Sequence, residues 1–449
     1  MIRTQDVVVI GAGFSGLAAG LKLKELGISS VILEARDRVG GRTKTDYLPD
    51  GTQIDIGGQW IGPTQDRMYE LVEKYGVKTF NTIAEGAATI QIETGKIDNT
   101  LPEEVNHLLG KVDKLSKGVN TDRPWETPEA GELDHQTFKT WMENNSDSNE
   151  AVTFVGRLLA GGLLSSGSGE VSALQMALYI ATGNGVSVLL GMDGGAQQDR
   201  LIGGPHHLAK CMAEDYGLSD IYFNHAVKEI EYTENAVEVR TVNGECFKAK
   251  KVVLALPPVI ANKITFEPAL PLLKSRMLKQ ILPGSALKFH AIYSTPFWRE
   301  RGISGVTNSN IGYITESVDN SLPMGEKGVI SFFAYGDEAN LLRAKGAAER
   351  KEVLLSDLAD LLGSEAKTPE SFIEFDWDNE PYTLGCFSGH FALGGIVNYG
   401  AILKEPVKSL HWAGTETSSV WNGYFEGAVH AGEREANKIS ELLSMDMSQ

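Results

Sequence analysis

"VVVIGAGFSGLAAGLKLKELG", residues 7–27, runs from a β-branched apolar stretch through three glycines into an amphipathic segment. Val7 to Ile10 is long enough for one buried parallel strand, and Leu17, Leu21 and Leu26 keep an apolar face at helical spacing. The turn between them carries Gly11, Gly13 and Gly16. That spacing permits a tight turn, close approach of a pyrophosphate to bare backbone, and close packing of helix on strand. Alone the triplet is weak, because a glycine-rich loop without a ligand has the same spacing. "SSVILEARDR", residues 29–38, adds a second strand ending in Glu34, close to the distance at which an acid meets the ribose hydroxyls of an adenosine. Together the two stretches predict a doubly wound, Rossmann-like α/β nucleotide domain.

Composition bounds the rest. A chain of 449 residues suggests two or three domains, and 42% hydrophobic with 22% charged residues describes a globular protein with a large core. The net charge of −18 argues against nucleic acid as a partner, since no basic stripe is available to neutralise phosphates. Cys211, Cys246 and Cys386 lie far apart, so neither a disulfide framework nor a zinc knuckle is expected, and the expected compartment is reducing, the cytoplasm. There is no charged-then-apolar leader, and no run reaches the ~18 apolar residues of a membrane span. The chain closes on "ELLSMDMSQ" soon after its last predicted helix, so no membrane tail is expected.

Along the chain, "DIGGQWIGPTQDRMYELVEKYG" (55–76) ends in a predicted helix, and from about 85 to 200 the composition turns helical and polar. "LPEEVNHLLGKVDKLSKG" (101–118) has helical periodicity, and "NNSDSNEA" (144–151) reads as a loop and cap. Strand signals return from "DIYFNHAVKEIEY" (220–232) to "KVVLALPP" (251–258). "SALKFHAIYSTPFW" (285–298) and "GVISFFAYG" (328–336) read as strands of a second sheet, and "AAERKEVLLSDLADLLG" (347–363) as a surface helix. The expected organisation is interleaved: residues 1–82, 202–278 and 380–449 form the nucleotide domain, and 83–201 with 279–379 form a substrate domain of mixed sheet and helices.

The glycine turn does not separate flavin from nicotinamide. "RVGGRTKT" (38–45) sets Gly40, Gly41 and Arg42 just past the ribose acid, where backbone amides and a guanidinium add to phosphate binding. With the glycine turn and Glu34, this stretch joins "IGGQWIGPTQ" (56–65), "LKFHAIYSTPFW" (287–298), "GCFSGHF" (385–391) and "HWAGTETSSVWNGYFEGAVHAGERE" (411–435). In that order, through nearly the whole chain, these motifs resemble the flavin-containing monoamine oxidase family, in the style of bacterial amine oxidases such as cyclohexylamine oxidase. The resemblance implies FAD as cofactor. It sets Gly11, Gly13, Gly16, Glu34, Arg36, Gly41 and Arg42 around the ADP half, with the Val227 backbone at the adenine. Gly58, Gln59, Trp60, Gly414 and Glu416 then surround the ribityl and flavin end, and "YFEGAVHAGERE" starts a helix beneath the flavin, its positive end toward reduced-flavin charge.

The chemistry implied is removal of a hydride equivalent from an amine α-carbon, giving an imine that water hydrolyses to an aldehyde or ketone, with O2 reduced to H2O2. The free base reacts, so an apolar pocket with ring walls is needed. Tyr424 matches one wall of the family's aromatic cage, and Phe387 takes the place of the other, often a tyrosine. Lys288 sits in an apolar strand pattern, where an outward, solvated lysine is equally in keeping. The resemblance makes it the lysine that reaches the flavin through a water and assists reaction with oxygen, with Trp377 packed nearby. Cys386 matches the cysteine that some relatives join to the flavin; an unlinked thiol beside it is expected, because linkage also needs a lowered thiol pKa and an aligned ring.

Alternatives remain open. A flavin dehydrogenase with a non-oxygen acceptor uses the same scaffold. An L-amino acid oxidase needs an arginine for the carboxylate, and Trp60 stands where it is expected. A polyamine oxidase needs an acid for a distal ammonium, and none is evident. No metal site is legible, His206 and His207 pointing apart on a helix start. Dispersed residues between Leu178 and Gln197 are expected in the pocket, and a homodimer is in keeping with the family.

Overall fold

Val7–Ile10 is wholly buried and pairs in parallel with Ser30–Leu33 on one side and Lys251–Leu254 on the other. A computed structural model of the protein describes residues 2–92 and 97–446. Ile221–Tyr222 and Leu410–Trp412 extend the sheet in parallel at its two edges, so its five strands come from three distant stretches of chain. The β-branched run suits a strand covered on both faces. One cover is the glycine-turn helix, Phe14–Glu25, which packs closely on the long helix Phe425–Asp446. Gly432 makes that approach possible: a Cβ there would lie 2.1 Å from the Ser15 carbonyl oxygen.

A second five-stranded sheet (Ile2–Thr4, Cys246–Ala249, Val237–Thr241, Val227–Tyr232, Thr265–Glu267) flanks the first. A β-bulge lies between Val227 and Glu229, where the register against Val237–Thr241 shifts and the strand bends.

The larger sheet has seven strands in the order Ser371–Asp376, Ala286–Tyr293, Gly328–Tyr335, Glu316–Asp319, Ile303–Ser309, Ala87–Gln91, Ile97–Asp98. Ala286–Tyr293 and Gly328–Tyr335 are buried along their whole length. The helix Ala347–Leu362 covers one face, setting Leu354, Leu358 and Leu362 against Phe289 and Phe332. The stretch from 85 to 200 is not purely helical. Ala87–Gln91 adds to the large sheet, and Asp199–Leu201 pairs with Trp60–Ile61 and Thr79–Asn81, because short strands at sheet edges leave little periodic signal. Between them, the predicted helix (Glu103–Lys117) forms, and Ser148 caps Asn149–Gly156 by accepting from the Ala151 amide. That helix runs into a π-helical turn, Arg157–Gly161. Among the described residues no helix is long and apolar enough to cross a membrane.

Candidate active site

The two sheets meet around one cavity of about 510 Å³. It begins at the carboxyl ends of the parallel strands, where open α/β sheets place ligands. Gly11 there adopts φ +101°, and a Cβ on it would come 2.6 Å from the Ala255 carbonyl oxygen. Gly13 and Gly41 face each other across the turn with no side chain between them. Gly16 does not line the cavity; a Cβ there would meet the Gly11 carbonyl oxygen at 1.8 Å, so its place is the packing of helix on turn. Glu34 follows its strand directly, accepts from the amides of Ala12 at 2.8 Å and Arg36 at 2.9 Å, and is held by the Arg36 guanidinium. Val227, at the bulge, lines the same end.

At the other end the cavity is lined by Gly58, Gln59, Trp60, Lys288, Trp377, Cys386, Phe387, Gly414 and Tyr424. Lys288 lies inside its strand: it is 4% exposed and donates to the Gly57 carbonyl at 2.9 Å and to Gln59 Oε1 at 2.6 Å. Gln59 in turn donates to Asn320 Oδ1 at 2.7 Å. Burial lowers the Lys288 ammonium to about 7; Asp55 pulls it back up and Arg200 presses it down further. Both acceptors are neutral, and Asp55 is itself bound to Arg200 at 2.9 Å. The Phe333 ring lies 5.2 Å from Nζ. Trp377 donates to the Ile56 carbonyl at 3.1 Å and packs in one cluster with Trp60, Phe333 and Phe387.

Tyr424 precedes the helix Phe425–Asp446, packed between Trp421 (ring centres 4.9 Å apart) and Tyr179 (5.9 Å). Phe387 holds a left-handed backbone, φ +54°, unusual for a large side chain. Arg42 donates to its carbonyl at 2.7 Å and to Glu416 Oε1 at 2.8 Å, while Glu416 also accepts from the Gly389 amide. Glu416 thus supports the wall from behind and does not line the cavity. Cys386 is buried, and burial pushes its thiol up to about 12, with the Asp378 charge adding to the rise.

Phe333 and Glu316 are among the lining side chains not singled out in the sequence. Tyr179, Leu190, Ala196 and Gln197 fall in the 178–197 stretch where pocket residues were expected. Glu316 is an acid in the cavity wall that the sequence did not single out. It lines the cavity and accepts from the Tyr335 hydroxyl at 2.5 Å. Among the described residues no His/Cys/Asp/Glu group is disposed to hold a metal; His206 is buried and His207 exposed.

A dinucleotide cradle opening onto a ring-walled pocket with a buried lysine defines a flavin amine oxidoreductase, and the comparisons agree. Residues 14–440 match the flavin containing amine oxidoreductase family, and the chain belongs to it. FAD is the cofactor of this class. The glycines of the cradle, and the Trp60 indole nitrogen and Gln197 carbonyl oxygen that lack partners among the described residues, fit a polar, planar group lying along the cavity. A probable flavin-containing monoamine oxidase A of Dictyostelium discoideum is 34% identical, over 99% of both chains. An L-amino acid dehydrogenase of Synechocystis sp. is 33% identical, over 98% of this chain and 95% of that one. Of solved structures, a putrescine oxidase redesigned in its cofactor binding superposes with TM-score 0.94 (34% identity, 98% and 99% coverage). Cyclohexylamine oxidase from Brevibacterium oxydans IH-35A superposes with TM-score 0.93 (32%, 98% and 99%).

Proposed function

We propose that this chain oxidises a small amine to an imine, which water hydrolyses to an aldehyde or ketone, and that O2 is the electron acceptor, leaving H2O2. FAD, when bound, supplies the hydride-accepting ring and its return to the oxidised state. The observation that carries this reading is the convergence of Tyr424, Phe387 and Lys288 on one cavity with the glycine cradle. Apolar and ring surfaces favour the uncharged amine, whose lone pair is the reactive one, and restrain its orientation. Lys288, titrating near neutrality, holds or yields a proton at Nζ and presents positive charge where electrons leave for oxygen.

An amino acid substrate needs a free guanidinium for its carboxylate. Arg36 is engaged by Glu34 and Glu380, and Arg42 by Glu416 and the Phe387 carbonyl, so neither arginine lining the cavity is free. We place the reaction in the cytoplasm on the strength of three widely separated cysteines. The test is a panel of amines: the yellow protein bleaches without oxygen on adding a substrate amine and releases peroxide in air. Bleaching without peroxide would assign another acceptor, and no bleaching by any amine would overturn the reading.

A further inference from the structure

Lys288 donates to the Gly57 carbonyl and to Gln59 Oε1, and the far end of the Gln59 amide decides whether the second of these bonds exists. A primary amide accepts at one end and donates at the other, so an oxygen turned to Lys288 obliges Nε2 to find an acceptor elsewhere. That acceptor is Asn320 Oδ1, 2.7 Å from Nε2. Gln59 is 1% exposed and Asn320 0%, so bulk water does not compete for either amide.

Asn320 is itself fixed through its main chain. It follows the strand Glu316–Asp319, its amide donates to the Val329 carbonyl at 2.7 Å, and its carbonyl accepts from Arg200 Nη1 at 2.9 Å. Its Nδ2 has no partner among the described residues, so Oδ1 is the engaged end of a side chain that is costly to bury. With Oδ1 on one side of Gln59 and a donor-only ammonium on the other, a single orientation of the Gln59 amide satisfies both neighbours. Reversed, it would set Nε2 against Nζ and Oε1 against Oδ1, donor to donor and acceptor to acceptor. Two of the Lys288 N–H bonds are thereby engaged, and the third is left to the cavity that the side chain lines.

We propose that Asn320 is a positioning residue: by locking the Gln59 amide it holds Lys288 as an ammonium with one proton turned to the cavity. The inference rests on the proposed part of Lys288 in the reaction with oxygen, and adds what keeps its proton in place. Asn320 does not line the cavity and acts only through Gln59. The charged and titratable groups that face Lys288 are Asp55 in its pair with Arg200, His290 two residues along the same strand, and the Cys386 thiol. His290 is held on the Ser331 hydroxyl at 2.7 Å, and burial, with Lys288 and Arg200 nearby, pushes its imidazole well below the usual range.

The test titrates Lys288 directly. In FAD-loaded protein with isotope-labelled lysines, its Cε resonance is the one absent from Lys288→Met, and NMR follows it with pH. Reoxidation is followed over the same pH range by mixing light-reduced enzyme with oxygen, which needs no substrate amine. The wild type is expected to titrate at about 7. Asn320→Leu frees Gln59 to turn and moves the midpoint down by about one pH unit, which slows reoxidation at neutral pH about fivefold. Asn320→Asp keeps an oxygen at Gln59 and adds negative charge, so the midpoint moves up by about as much. Opposite shifts from two substitutions of one residue are not produced by loose packing. Midpoints that stay at the wild-type value, or move down in both variants, sink the inference. Should Asn320→Leu fail to fold, Asn320→Asp decides alone: an upward shift supports the lock, and an unmoved or lowered midpoint rejects it. A Lys288→Met enzyme with the wild-type reoxidation profile removes the lysine's part in the oxygen reaction, whereas unmoved midpoints in the Asn320 variants remove only that of Asn320.

Discussion

Lys288 is tolerated on a buried strand because two neutral oxygens take its protons while Arg200 has already neutralised Asp55. Its lowered titration gives a signed expectation. On the proposed reading, the ammonium present below about pH 7 supports electron transfer to oxygen, and above that value its charge is lost. The rate of flavin reoxidation, followed by stopped flow, is therefore expected to fall as pH rises through that value. Lys288→Met flattens the profile and slows reoxidation by about 100-fold with little effect on anaerobic reduction; equal losses in both half-reactions would move the lysine to substrate binding. Stability follows its own sign. Between about 7 and 10.5 the unfolded chain holds one more proton at this residue than the folded one, so its contribution to stability rises with pH there. At Cys386, a thiol raised to about 12 leaves only about one part in 10⁵ as thiolate at neutral pH. Acid precipitation is thus expected to leave the yellow colour in the supernatant. Colour in the pellet, lost in Cys386→Ala, would establish a covalent link.

At the scale of elements, the contact between Phe14–Glu25 and Phe425–Asp446 depends on absent side chains. Gly432→Ala places a methyl against the Ser15 carbonyl and is expected to cost about 1–3 kcal/mol, read as a lower midpoint in denaturant with an unchanged slope. Gly110→Ala, on the open face of Glu103–Lys117 with nothing near its Cβ, is a control expected to be neutral or stabilising. The same elements separate what is legible in the sequence from what is not. The glycine turn, Glu34 and the strand around Lys288 announce themselves locally, by spacing and by β-branched runs. That Lys288 points inward is not local, because alternation fails on a strand buried on both faces. Glu316 is invisible in "YITESVDN" (313–320), because its meaning depends on Tyr335, 19 residues on, and on the register that sets it opposite Phe333. Ala87–Gln91 is missed for a like reason, since its longer partner strand, Ile303–Ser309, lies more than 200 residues later.

For the whole molecule, we propose the division into a nucleotide unit of residues 1–82, 202–278 and 380–449 and a substrate unit of 83–201 and 279–379. The parallel sheet and the seven-stranded sheet draw their strands from these respective stretches. The two are joined through Arg200, 1% exposed, which grips Asp55 (0% exposed) with one guanidinium nitrogen and the Asn320 carbonyl with another, each at 2.9 Å. Arg200→Met is expected to cost about 3–5 kcal/mol by leaving Asp55 charged and unpaired, measurable as reduced stability to urea. An unchanged unfolding midpoint would mean that Gln53 and Thr45, which also bond Asp55, suffice without the guanidinium.

The parallel sheet carries a consequence for how the protein is made. Its central strand, Val7–Ile10, leaves the ribosome about 400 residues ahead of the edge strand Leu410–Trp412 and the Gly414 and Tyr424 stretch beyond it. At about 5–20 residues per second, roughly 20–80 s of synthesis separate the first half of the cradle from the second. During that interval the glycine turn exists without the wall that closes over it. Flavin capture therefore waits for the second half of the cradle, and ribosome-bound chains stalled before Leu410 are expected to hold no flavin.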